Sequence, residues 1–365
     1  MLKGMAGRNV AFICSILFLV VPLQFSLSEV ALSNIPGMFF TISVAYLLYK
    51  GRVSKKYLLT GAFVGGITLG VRLAEWSVVL SLLILLLIYK KGKDFIKVAM
   101  AFLGGFLIWF IPLVILTGWG NLLTTYSNQG LYILNHDSTA SNIGFWARPQ
   151  MIWGLFLNGY TLYFLPVIFF TGFYLFKTKK NLFQFDNLFA LVWLLSYLLP
   201  LIFVYNLEVP RHILPLLPSL VLTFGLSLNW AKKYRAALIL ISSIFILLLL
   251  SVSLNQARQI KNLIPPTIAP VLYTKENFNP KNTVIVTNFT FRQFQYYAPE
   301  FENYYASNNL PKTLSREYVV LDFIKTKANL NLEEYKLKDT REFSGPEDIF
   351  PRVSRTKLYI LERRK

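Results

Sequence analysis

Six carboxylates precede residue 255 of this 365-residue chain: Glu29, Glu75, Asp94, Asp137, Asp186 and Glu208. Asp94 and Asp186 stand in basic loops between apolar runs and read as loop charges. The other four share short polar segments with cations and amides: Glu29 with Asn34, Glu75 with Arg72, Asp137 with His136 and Arg148, and Glu208 with Arg211 and His212. These types can move a proton, bind a hydroxyl or hold a phosphate. Each also has a plainer reading. Glu29 serves equally as a metal ligand, a sugar-hydroxyl partner, a base, a helix N-cap near Ile35 or a surface charge. Arg72 and Glu75 are three residues apart and can pair with each other in a tight turn. His136 and Asp137 are adjacent but have no nucleophile beside them. Arg211 alone would snorkel at an interface. Beside His212 and among Pro210, Pro215 and Pro218, it reads better as a phosphate ligand at the start of a helix.

The elements that must position these residues are apolar. Hydrophobic letters make up 55% of the chain and its mean hydropathy is +0.48, which excludes an ordinary soluble domain and implies a polytopic membrane protein. Nine runs could span: Val10–Leu27, Ile35–Tyr49, Tyr57–Val71, Trp76–Tyr89, Phe95–Thr117, Met151–Phe176, Asn187–Leu207, His212–Trp230 and Ala236–Leu254. Of the 37 Lys and Arg, most of those before residue 255 cluster in every second loop, which predicts an inside N-terminus and an outside C-terminal part. The four polar groups then share the outer face. The net charge of +19 is thus a topology and headgroup feature, with no nucleic-acid partner implied.

Gly61, Gly65, Gly66 and Gly70 give small-residue spacings that let helices approach. Gly118–Gln150 reads as the longest outer loop, rich in interfacial aromatics. After Leu254 the composition turns polar and mixed in charge. Thr283–Thr287, Tyr318–Asp322 and Lys357–Leu361 read as short buried strands of a small extracytoplasmic α/β domain over 255–365, following a helical domain over 1–254. The single Cys14 excludes an internal disulfide.

The order of parts resembles the GT-C class of polytopic membrane glycosyltransferases, nearest to its protein O-mannosyltransferase-like and lipid A aminoarabinose transferase-like branches. The resemblance lies in Ser28-Glu29-x3-Ser33-Asn34-x-Pro36-Gly37, in Gly65-Gly66-x3-Gly70-x-Arg72, in Pro210-Arg211-His212-x2-Pro215-x2-Pro218 and in the α/β domain that follows. It implies transfer of a sugar from a polyprenyl-phosphate donor to an acceptor lipid, glycan or protein at the outer face of the cell membrane, among membrane lipids. Under it Glu29 is the catalytic residue. Asn34, Arg72, Glu75, His136, Asp137, Arg148, Arg211 and His212 bind substrate, with Arg211 and His212 on the phosphate. A divalent cation, Mg²⁺ or Mn²⁺, is the only cofactor it allows. The family's first pair of spans, with the acid in its first outer loop, has no counterpart here. That departure keeps a non-catalytic scaffold subunit as an alternative, beside a lipid-linked-sugar flippase or transporter.

Overall fold

The computed structural model describes residues 1–24, 34–132, 147–177, 183–205, 210–231, 235–261, 264–287, 290–305, 316–322, 334–345 and 355–364. The chain divides into two compact units, Met1–Gln256 and Ala257–Lys365.

The first unit is helical. Its chain runs through α1 (Leu2–Ala6), α2 (Arg8–Val20), α3 (Asn34–Gly51), α4 (Lys55–Val71), α5 (Trp76–Tyr89), α6 (Phe95–Thr117), α7 (Trp119–Tyr132), α8 (Arg148–Tyr160), α9 (Leu165–Lys177), α10 (Phe185–Phe203), α11 (Leu217–Trp230) and α12 (Arg235–Lys261). Short 3-10 turns at Leu73–Glu75, Leu162–Phe164 and Pro210–Leu216 lead into α5, α9 and α11. Among the described residues, four segments are long and apolar enough to cross a membrane: Phe95–Thr117, Phe185–Phe203, His212–Trp230 and Ile239–Gln259. Shorter apolar helices, Arg8–Val20, Leu73–Tyr89 and Leu165–Lys177, accompany them. On α6, Ile96, Met100, Leu103, Ile108, Ile111, Ile115 and Leu116 all face outward. An exterior that apolar suits hydrocarbon rather than water, so this is a membrane protein. By contrast, α11 is buried along nearly its whole length and forms the centre of the bundle.

Two expectations need correction. The run Met151–Phe176 is not one helix but two, α8 and α9, broken at Thr161, whose φ is +67°. A β-branched residue rarely enters the left-handed region, and Pro166, which lacks an N–H, opens a new helix rather than extending the old one. The segment Gly118–Gln150 does not begin as a loop. Gly118 turns the chain at φ +76° and α7 follows at once.

Glycine brings α4 and α6 into backbone contact. A Cβ on Gly66 would lie 2.1 Å from the Phe102 carbonyl oxygen, and one on Gly105 would lie 1.9 Å from that of Phe63. Trp109 seals the contact by donating its Nε1 proton to the Gly66 carbonyl at 3.0 Å. Gly61 and Gly65 make the matching close approaches to α3 and α5. In lipid no hydrophobic drive separates helix from tail, so close contact of this kind is what holds helices together.

The second unit is a five-stranded sheet with α13 (Ala269–Asn277) and α14 (Phe291–Tyr297). Its strands are β1 (Thr283–Thr287), β2 (Glu302–Tyr305), β3 (Tyr318–Leu321), β4 (Tyr335–Ser344) and β5 (Arg355–Arg363), in the order β2-β1-β3-β5-β4. The first three are parallel; β5 and β4 join antiparallel. Alternation along β1 and β3 splits the core. Ile285 and Val320 pack with Val271, Phe294 and Leu358 on one face, and Val284, Val286, Val319 and Leu321 pack with Tyr335 on the other. Strand β4 is mostly exposed and rich in charge, and β2 is a four-residue Glu-Asn-Tyr-Tyr segment without an aliphatic residue, so no apolar run announced either.

Several surface carboxylates of this unit are held below the usual carboxylate range. The Tyr304 hydroxyl and then Arg316 lower Glu302, Lys338 lowers Glu362, and the Thr340 N–H followed by Arg341 lowers Asp339. A depressed acid stabilises the fold above its unfolded pKa and loses that contribution as pH falls through its folded value. Amide protection factors in β4 and β5 of the full chain should therefore hold between pH 6 and 8 and fall between about pH 5 and pH 3.

The helical contact gives a second prediction. Gly66→Ala should cost about 1–3 kcal/mol or more, because the clash is with backbone. Gly104→Ala, whose Cβ would meet only the Phe63 ring at 3.9 Å, should be near neutral. Thermal unfolding of the detergent-solubilised protein distinguishes the two.

Candidate functional site in the helical unit

The most unusual polar group in this unit is Glu75. It closes the 3-10 turn Leu73–Glu75 between α4 and α5, and its side chain has 0% exposure. The turn exists because Arg72 leaves the helical region (φ −156°, ψ 109°) at the end of α4 and Trp76 resumes it. Water does not reach such a carboxylate, so its partners decide whether it is tolerated. Arg72 Nη1 lies 3.6 Å from Glu75 Oε1, and the Arg72 side chain is 11% exposed. Thr41 on α3 donates its hydroxyl to Glu75 Oε2 at 3.2 Å and to the Gly37 carbonyl at 2.9 Å. Gly37, one turn earlier, is the floor under Arg72: a Cβ there would come within 3.1 Å of the arginine's Cβ and Cδ.

The pair is close enough to attract but too long for a hydrogen bond. Among the described residues, the buried Arg72 Nη1 and Glu75 Oε1 have no hydrogen-bond partner. Such a pair usually fills its remaining valences, since each unmet one costs about 1–3 kcal/mol or more. The arrangement thus leaves a donor and an acceptor to be bridged by a small polar group.

Tyrosines connect this turn to the one at Pro210–Leu216. Tyr205, just beyond α10, donates its hydroxyl to the Ala74 carbonyl at 3.0 Å, and its ring lies 5.6 Å from the His212 ring. Tyr197 on α10 stacks on Tyr205 at 5.6 Å and donates to the His212 carbonyl at 2.9 Å. Tyr160 at the end of α8 donates to the Ile213 carbonyl. The field of Glu75 and Arg72 reaches both Tyr197 and Tyr205.

Three residues singled out from the sequence, Arg72, Glu75 and His212, are therefore linked through Tyr205. Arg148 is half-buried in the first turn of α8, the helix that packs on Pro210–Leu216. Asn34 begins α3 and Arg211 lies within the 3-10 turn, but their side chains are outside the described residues, as are Glu29, His136 and Asp137 altogether. Sequence reasoning missed Thr41, Tyr197 and Tyr205, and named Gly37 as part of the Ser28–Gly37 motif without its contact to Arg72. A clue existed for Thr41, a hydroxyl four residues after a glycine in an otherwise apolar helix.

Among the described residues no three His, Cys, Asp or Glu side chains converge as metal ligands. At Glu75 the neighbouring charge is the Arg72 guanidinium. The chain matches no family model, no curated protein and no solved structure.

Removing one partner of a buried pair leaves an uncompensated charge, so Arg72→Met should destabilise the protein by about 3–5 kcal/mol. The double variant Arg72→Met/Glu75→Leu should recover part of that loss. A double-mutant cycle read by thermal unfolding in detergent checks this. Additive single losses would mean that the two side chains do not interact.

Proposed function

We propose that this chain is an integral-membrane glycosyltransferase of the GT-C type, which moves a sugar from a polyprenyl-phosphate donor to a lipid, glycan or protein acceptor. The nine-span topology, with the N-terminus inside and the site at the outer face, is part of the proposal. The observation that carries it is the buried Arg72–Glu75 pair, with a hydrogen-bond donor and acceptor left open and tied through Tyr205 to His212. A polar cluster with unmet valences inside an apolar bundle is what a membrane enzyme for a polar headgroup requires.

In the proposed reaction, an acceptor oxygen or nitrogen attacks the anomeric carbon as that carbon's bond to phosphate oxygen breaks. The bonding pair leaves with the polyprenyl phosphate, and a base takes the acceptor's proton. Glu29 is assigned as that base. Asn34 binds the sugar beside it, and Arg211 and His212 balance the charge gathering on the departing phosphate. Arg72 and Glu75, with Thr41 on the carboxylate and Tyr205 on the intervening Ala74 carbonyl, orient the headgroup, and Arg148, His136 and Asp137 are assigned to substrate binding.

The test gives purified protein in nanodiscs a radiolabelled polyprenyl-phosphate sugar together with lipid, glycan and peptide acceptors, and follows release of polyprenyl phosphate as the sugar passes to an acceptor. Release is expected, with donor binding weakened about tenfold or more in Arg211→Ala. Unchanged binding in that variant would remove Arg211 from the phosphate. A protein that binds donor but never releases lipid phosphate is a scaffold. Movement of intact donor across the bilayer identifies a flippase. Neither binding nor release overturns the reading.

A further inference from the structure

The second unit contains a half-open cavity of about 250 Å³ with no role in the reading above. Its wall is aromatic. Tyr273 from the last turns of α13, Phe278 just after it and Tyr318 at the start of β3 stand in a row, with Tyr273 and Phe278 at 6.3 Å and 64°, and Phe278 and Tyr318 at 5.5 Å and 67°. Rings inclined this steeply make a concave surface, not a slot between parallel faces. Ile360 of β5, which is buried, also lines the cavity.

The rim is polar because of a β-bulge. Neighbouring residues of a regular strand point to opposite faces. In β4, Leu337 pairs with Leu361 and Asp339 with Ile360, so Lys338 is extra, and both Lys338 and Asp339 line the same cavity. Bulges commonly re-aim side chains in this way. Lys338 is held over the Tyr318 ring, with its Nζ 4.5 Å from the ring centroid and 3.0 Å from Glu362 Oε1. Asp339 accepts from the Thr340 N–H and from Arg341 Nε, which fixes its carboxylate.

Three asparagines complete the rim, and their internal bonds show what they have left to offer. Asn277 gives its amide N–H to the Tyr273 carbonyl and Asn282 gives its own to Glu317, so each presents an amide oxygen. The Asn279 oxygen accepts from the Lys281 N–H, so its NH2 remains to donate. The rim therefore offers both acceptors and donors beside an apolar wall, since the Asn277 and Asn282 amides also keep a second N–H. A phosphate needs converging donors and would meet the Asp339 carboxylate, while the one cation of the lining, Lys338, is already paired with Glu362. A ligand whose every polar group both donates and accepts fits, provided it has an apolar face for the rings. That is the chemistry of a pyranose: C–H bonds on one face and hydroxyls at the edge. The volume, below the roughly 300–1,000 Å³ of drug-sized pockets, suits a single ring.

We propose that this cavity is a saccharide-binding site, which takes one neutral sugar ring of a free or conjugated glycan. It is independent of the transferase reading, since all its residues belong to the second unit.

The test is saturation-transfer NMR on the full chain in nanodiscs, with glucose, galactose, mannose, N-acetylglucosamine and N-acetylgalactosamine as probes and adenosine and inorganic phosphate as competitors. At least one sugar should receive saturation on its ring C–H protons. Its dissociation constant should rise about three- to tenfold for each rim group removed, in Asp339→Ala and in Asn279→Ala. Asn279 is exposed and sits outside the strands, so its variant keeps the sheet intact. Loss of contact in both variants while donor release is unchanged supports the site, whatever the fate of the transferase reading. No transfer to any sugar, transfer that survives both variants, or displacement by adenosine or phosphate overturns it.

Discussion

Glu75 cannot be reached by water, and one arginine, one threonine hydroxyl and the local backbone are what it has instead. That constraint shapes much of the helical unit around it. Arg72 must leave the helix for its guanidinium to come back to the carboxylate, which makes the turn between α4 and α5 short. Position 37 must be glycine for the arginine stem to lie flat on α3. Thr41 must sit one turn further on, where its hydroxyl can reach both the Gly37 carbonyl and Glu75. A threonine that also bonds back to its own helix is unremarkable in lipid, but here the same hydroxyl serves two elements.

Much of this architecture was legible in the chain. Apolar runs such as Trp76–Tyr89 and Phe95–Thr117 coincide with helices at both ends, because a basic loop or a glycine follows each. The glycines from 61 to 70 announced close helix contact, and the structure places them there. The Arg72–Glu75 pairing followed from a spacing of three. The strand at Thr283–Thr287 was clear from its β-branched run, and Lys357–Leu361 marked the middle of a longer one.

What was hidden is hidden for physical reasons. The break at Thr161 follows Asn158-Gly159 and precedes Pro166, short breaker signals inside a long apolar run that reads as one span when taken whole. Strand β4 carries charges because it is exposed, and β2 is four residues long without an aliphatic side chain, so hydrophobic periodicity cannot find them. The bulge at Lys338 depends on register with β5, which no single strand encodes. Tyr197 and Tyr205 look like ordinary interfacial aromatics. Their roles come from partners that lie up to 131 positions away in the chain.

Those tyrosines have one further consequence. The 3-10 turns at Leu73–Glu75 and Pro210–Leu216 expose carbonyls that a regular helix would have consumed, and the hydroxyls of Tyr205, Tyr197 and Tyr160 take the place of solvent at Ala74, His212 and Ile213. Each bond joins a turn to a helix distant in sequence. A displacement of α8 or of the end of α10 cannot then be absorbed locally by hydration; it must either break a bond in a dry medium or pull the turn along. The three hydroxyls work as tie rods, and mechanical strain in one helix is delivered to the segments that carry Glu75 and His212.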